Sequence, residues 1–166
     1  MDHGWDGAVS TLTYSRLMGA DLPYLDAVVK EVLRVMPPVV QVPRTVCKDT
    51  SFAGVQLRKG DTIGVSHGAT HMLADAPALR EPVGPDEFAP ERFLGERALD
   101  KDSPFAYLPF GSGQRMCVGY QLARLEIKAF LAVLVRHYDV VCPASTFQPF
   151  PIYTRLVDVK ISPRKD

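Results

Sequence analysis

The segment Phe110–Gly119, FGSGQRMCVG, places three glycines, one arginine and one cysteine in ten residues, directly before a long apolar run. This constrains the chain more than any other feature. Glycines free the backbone to fold back on itself, and the run Val118 to His137 has helical periodicity, with Val118, Leu122, Leu125, Ala129 and Val133 on one face. Phe130, Leu131, Leu134 and Val135 widen that face, so the helix is expected to be deeply buried. Cys117 then sits between flexible backbone and the positive end of a helix, two residues after Arg115. Inward-turned N–H groups, the helix dipole and Arg115 all favour a thiolate over a thiol. A thiolate serves as a nucleophile or as a metal ligand. A free cysteine is also, most often, a small buried apolar residue.

A second strong pattern runs over 21–36, DLPYLDAVVKEVLRVM. Leu25, Val28, Val29, Val32, Leu33 and Met36 form one apolar stripe on a helix. Asp21 is positioned to cap its start, and Pro37-Pro38 ends it. Glu31 and Arg34 share a face away from that stripe, which reads by itself as a solvated i,i+3 pair. Residues 39–71 read as short strands and turns, with Gly60-Asp61-Thr62 at a hairpin turn and His71 at a strand end. Residues 72–109 are rich in proline and charge, with one short helical stretch near Ala74 to Leu79. The closing 138–166 segment suits a β-hairpin with a long loop through Phe147 to Phe150.

Several classes are disfavoured. The 166 residues suit one domain, and 46% apolar content argues against wholesale disorder. Nineteen Lys and Arg balance nineteen Asp and Glu, which gives no sign of nucleic-acid binding. Cys47, Cys117 and Cys142 are odd in number and far apart, so neither a disulfide framework nor a zinc knuckle is indicated; a reducing, intracellular compartment is the expectation. No stretch approaches the ~20 apolar residues of a membrane span. Trp5 reads as a packing residue.

Taken together, F-G-S-G-Q-R-M-C-V-G, the upstream E-V-L-R and F-A-P-E-R-F resemble the cytochromes P-450, the haem-thiolate monooxygenases. The ten-residue loop matches the family pattern F-x-x-G-x-R-x-C-x-G at every fixed position, and the three motifs occur in family order. The resemblance covers nearly the whole chain, from about Leu22, and only the C-terminal portion of the family's length. It implies a mixed α and β fold, an incomplete cytochrome P-450 domain over 1–166. Its parts would be the ExxR helix (21–36), a β region (39–71), the meander (72–109), the haem-binding loop (110–119), a long helix (118–137) and a terminal β-hairpin (138–166).

The resemblance also implies roles. Haem b would be the cofactor, with Cys117 as its axial iron ligand. Phe110 would pack near the thiolate, and Gly111, Gly113 and Gly119 would allow close backbone approach. Arg115 and Arg44 would bind propionates, although Arg44 also reads as a surface strand arginine. Glu31, Arg34 and Arg92 would form a buried charge triad. Val39, Val40, Gln41 and Val42, with the 147–150 loop, would face substrate, or simply pack. Arg124 and Lys128 would lie on the face where electron donors dock, or on a solvated face. Partners would be a reductase or ferredoxin, O2 and a small apolar substrate, with the parent anchored at the endoplasmic reticulum if eukaryotic. Thr70 to Asp75 and the closing SPRKD look nearer the retinoic-acid hydroxylase and cyanobacterial group.

Absent from the motif set is the family's distal helix. The chain alone is therefore expected to bind haem weakly and not to complete monooxygenation. It reads as part of a monooxygenase, as a non-catalytic haem- or partner-binding remnant, or as a haem-free interaction domain.

Overall fold

A computed structural model describes residues 22–73, 76–80, 83–141 and 159–164. Trp5, Asp21, Cys142 and the 147–150 loop lie outside them.

Helix α1 (Pro23–Val35) has Pro23 at its first turn, and Leu22 at its N-cap makes no side-chain cap bond. Strands follow: β1 (Gln41–Thr45), β2 (Thr50–Phe52), β3 (Val55–Leu57) and β4 (Thr62–Ser66). β1 pairs antiparallel with β4, Val42 opposite Val65 and Arg44 opposite Ile63. β2 and β3 form a separate hairpin, and the turn at Gly60-Asp61 returns the chain to β4 through Gly60 N–H to Val46 O at 2.8 Å.

Helix α2 (His67–Leu73) starts where a strand end is expected, so His71 is helical. The cause is local. Ser66 Oγ accepts the Ala69 N–H at 3.2 Å, and Thr70 Oγ1 donates to Ser66 O at 2.8 Å. This is side-chain capping of a helix start. The proline-rich segment then holds α3 (Pro77–Arg80), a 3-10 turn (Pro90–Phe93) and α4 (Leu99–Asp102). Helix α5 (Tyr120–His137) begins after Gly119, later than the expected Val118. β5 (Tyr138–Val141) pairs antiparallel with β6 (Lys160–Pro163).

The core is small. Ala27, Ala76, Leu79, Phe93, Leu99 and Ala106 cluster together, with Tyr107 packed on them. Phe93 and Tyr107 meet in a tilted ring contact at 4.7 Å.

Burial departs from the expected stripes in two places. On α1 the charged face is inside: Glu31 and Arg34 are fully buried, whereas Val32 and Met36 are exposed. The solvated-pair reading of Glu31 and Arg34 is thereby overturned. On α5 no apolar residue is buried, Leu122 and Phe130 are exposed, and the one buried residue is Lys128. Val29 and Leu33 of the α1 stripe are buried as expected, so only part of each apolar face lacks cover among the described residues.

Candidate functional site: a cavity behind the cysteine loop

A cavity of about 480 Å³ lies between the β1–β4 ladder and the loop that carries Cys117. Strand alternation builds the first wall. Val42 and Val65 are register partners, and Arg44 follows Val42 by two residues, so these side chains share one face. Pro38, Val39, Val42, Arg44, Val65 and His67 line this side. Leu108, Pro109, Phe110, Gly111, Ser112, Arg115 and Cys117 line the other.

The loop is held by its own backbone. Gly111 N–H reaches Leu108 O at 3.1 Å, Met116 N–H reaches Gly113 O at 3.1 Å, and Cys117 N–H reaches Phe110 O at 2.9 Å. These three N–H groups serve carbonyls rather than the sulfur. Gly111 and Gly113 have φ of 73° and 68°, which side chains rarely adopt. Gly119 is ordinary: its φ is −91°, and a Cβ there would meet nothing within 4 Å. Phe110 and Tyr120 form a tilted ring contact at 6.2 Å, tying the loop to the first residue of α5.

Cys117 is an exposed free thiol. Arg44 donates to its neighbour's carbonyl, Pro43 O, at 3.0 Å, and neither it nor Arg115 makes an ion pair among the described residues. No acidic side chain lines the cavity. An apolar slot with one thiol and two guanidinium groups lacking a counter-charge suits a flat apolar ligand with a metal centre and acidic arms. These residues fit haem on those grounds.

The residues expected to face substrate divide. Val39 and Val42 line the cavity; Val40 and Gln41 do not. Gln41 has the opposite parity to Val42, and its side chain lies over Gly64, where a Cβ would meet Gln41 Nε2 at 1.7 Å. Val40 accepts the Gly68 N–H at 3.2 Å.

A buried charge cluster lies outside the cavity lining. Arg34 Nε donates to Glu31 Oε2 at 2.7 Å and Nη2 to Glu31 Oε1 at 2.8 Å. Arg92 Nε approaches Glu31 Oε1 at 3.4 Å, and the Ala89 N–H donates to the same oxygen at 2.8 Å. The guanidinium groups also reach carbonyls of the irregular segment: Arg34 to Pro85 O and Glu87 O, Arg92 to Leu79 O and Gly84 O. Each charge is paired and hydrogen-bonded, as burial requires.

His71 joins this cluster to the loop. Its Nδ1 lies 3.2 Å from Arg34 O, and its Nε2 accepts the Leu108 N–H at 2.8 Å. That pattern fixes a neutral ring, and burial lowers its pKa to about 4.

A second network joins α1 to α5. Asp26 takes Lys30 at 2.9 Å, Arg124 at 2.6 Å and Lys128 at 2.5 Å. Lys30 also meets Asp100 at 2.8 Å. Burial opposes the ionised Asp26 carboxylate, but hydrogen bonds from Lys128, Lys30 and Arg124 prevail and hold it well below the usual carboxylate range. Arg124 and Lys128 therefore clamp α5 onto α1. Lys128 is buried there and so lies on no solvated face, whereas the Arg124 side chain keeps 25% exposure. The available signal was the i,i+4 spacing of Asp26 with Lys30 and of Arg124 with Lys128.

Comparison with known proteins decides the family. The cytochrome P450 family profile matches residues 7–163. The chain belongs to the cytochrome P450 family. Cytochrome P450 26A1 of Danio rerio is 40% identical over 116 residues, 70% of this chain and 22% of that protein. Cytochrome P450 120 of Synechocystis sp. is 39% identical over 118 residues, 71% of this chain and 26% of that protein. Thromboxane-A synthase of Sus scrofa is 39% identical over 123 residues, so identity does not single out one P450 subgroup. The solved structure of retinoic acid-bound cyanobacterial CYP120A1 aligns with a TM-score of 0.75 at 33% identity, covering 93% of this chain and 35% of that one. The P450 fold present is thus a partial one, and the chain spans about a quarter of the length of these curated relatives. P450 proteins bind haem, and monooxygenation is the reaction typical of the family. Among the described residues no helix is long and apolar enough to cross a membrane.

Proposed function

We propose that this chain supplies the thiolate side of a haem monooxygenase site. The observation that carries the reading is that Cys117, Arg44 and Arg115 line one apolar cavity. Cys117 would ligate haem iron, Arg44 and Arg115 would pair with the two carboxylates of haem b, and Phe110 would lie against the ligated sulfur. Bound haem supplies the chemistry: one atom of O2 enters an apolar C–H bond and the other leaves as water, with two electrons and two protons consumed.

The chain's own residues hold and orient. The Glu31–Arg34–Arg92 cluster fixes the irregular segment that leads into the cysteine loop, and His71 ties that loop to α2. Val39 and Val42 present an apolar wall to substrate. Electrons would come from a reductase or ferredoxin. The likeness to retinoic acid-bound CYP120A1 makes an apolar acid the substrate class to try first.

The test is titration of the chain with ferric haem, followed by the reduced carbon-monoxide spectrum, in wild type and in Cys117→Ser. A thiolate-type Soret band in wild type alone supports the reading. Identical spectra for both would end it. Substrate turnover is expected only when the rest of a P450 fold encloses the haem, because here Cys117 is open to solvent.

A further inference from the structure

Two histidines on α2 differ in how their nitrogens are used. His71 engages both, as described above. His67 is 5% exposed, yet its buried Nδ1 has no hydrogen-bond partner. Native proteins keep few buried polar atoms unpaired, and each costs stability. Unlike His71, His67 lines the cavity. It continues the wall face of Val65 by two residues, at the end of the β1–β4 ladder opposite Arg44. Because the residue itself lines the cavity, a ring N–H can serve a ligand there without moving the backbone.

The charges in the cavity define the ligand group. Two guanidinium groups and no carboxylate line it, so the cavity favours an anion, whose oxygen can accept from His67. We propose that His67 donates a hydrogen bond to a carboxylate oxygen of the ligand bound here. The inference rests on the haem reading above for the identity of the cavity's main occupant. The carboxylate has two possible sources: the porphyrin itself, or an apolar acid bound beside it.

The 166-residue chain is titrated with ferric haem and with haem dimethyl ester, as wild type, His67→Phe and His67→Gln. If the porphyrin is the source, His67→Phe weakens haem binding about tenfold, leaves the diester unchanged, and His67→Gln recovers most of the loss. If the second source applies, haem affinity is unchanged. The haem-loaded His67→Phe chain then binds dodecanoate about tenfold more weakly, with methyl dodecanoate unaffected.

Equal affinity of wild type and His67→Phe for haem and for dodecanoate overturns the proposal. The thermal midpoint of ligand-free His67→Phe should hold or rise, because an unpaired nitrogen has been removed; a fall would make His67 structural and also overturn it. A Cys117-dependent spectrum with no effect of His67 sinks this proposal alone. No haem binding by wild type sinks the haem reading together with it.

Discussion

Arg34 grips Glu31 through two parallel hydrogen bonds, 2.7 and 2.8 Å long, with both side chains fully shielded from water. A single helix turn thus carries a buried fork whose remaining donors reach Pro85 and Glu87. Removing one charge leaves the other buried and unpaired, which costs about 3–5 kcal/mol. Glu31→Gln should therefore lower the urea midpoint sharply and abolish haem incorporation. Normal stability and normal haem content in that variant would contradict the structural role of the triad.

Acid should weaken the protein in two stages. The folded pKa of His71 is about 4, below its ordinary 6.5, because burial disfavours the charged ring. The unfolded chain therefore binds more protons between those values, and stability falls as pH drops from 6.5 towards 4, by about 3 kcal/mol. Asp26, also depressed, contributes stability above its ordinary 3.8 that is lost below it. Urea unfolding at pH 7, 5.5 and 4.5 reads the first stage. His71→Gln should flatten it, and a flat wild-type profile would refute the assignment.

Asp26 should matter more than any one of its cations. Asp26→Asn leaves Lys30, Arg124 and Lys128 facing one another, and about 3 kcal/mol is the expected loss. Lys128→Met keeps two partners on the carboxylate and should cost less than half as much. A double-mutant cycle with Arg124→Met should show coupling above about 0.5 kcal/mol, since all share one carboxylate. Strict additivity would count against a shared network.

The glycines of the loop should separate. Gly111→Ala forces a side chain into φ of 73° and should cost about 1 kcal/mol without any clash. Gly119→Ala, at φ −91° with open space around it, should leave ligand-free stability unchanged. Thermal melts of the two variants test this, and equal losses would contradict it.

The loop motif and the ExxR spacing were legible because they depend on residue type at fixed separation. The faces of α1 and α5 were legible only in part: Val29 and Leu33 are buried as the stripe predicts. Periodicity locates an apolar stripe but not its partner, and Val32, Met36, Leu122 and Phe130 have no cover among the described residues. Glu31 and Lys128 are buried through pairings across 50 or more residues, which no local pattern reports: Glu31 with the Ala89 N–H, Lys128 with Asp26. The start of α2 was readable in principle from Ser66, whose hydroxyl caps it, but the preceding β alternation concealed it. Gln41 and Val42 are adjacent in sequence, but strand parity sends them to opposite faces.

The central claim is that Cys117 is the iron ligand of a haem held in this cavity. At saturating haem, the reduced carbon-monoxide spectrum of the wild-type chain should show the Soret band of thiolate ligation. Cys117→Ser should lose it while keeping the same secondary structure by circular dichroism. An unchanged Soret band in Cys117→Ser would place the iron elsewhere and contradict the account.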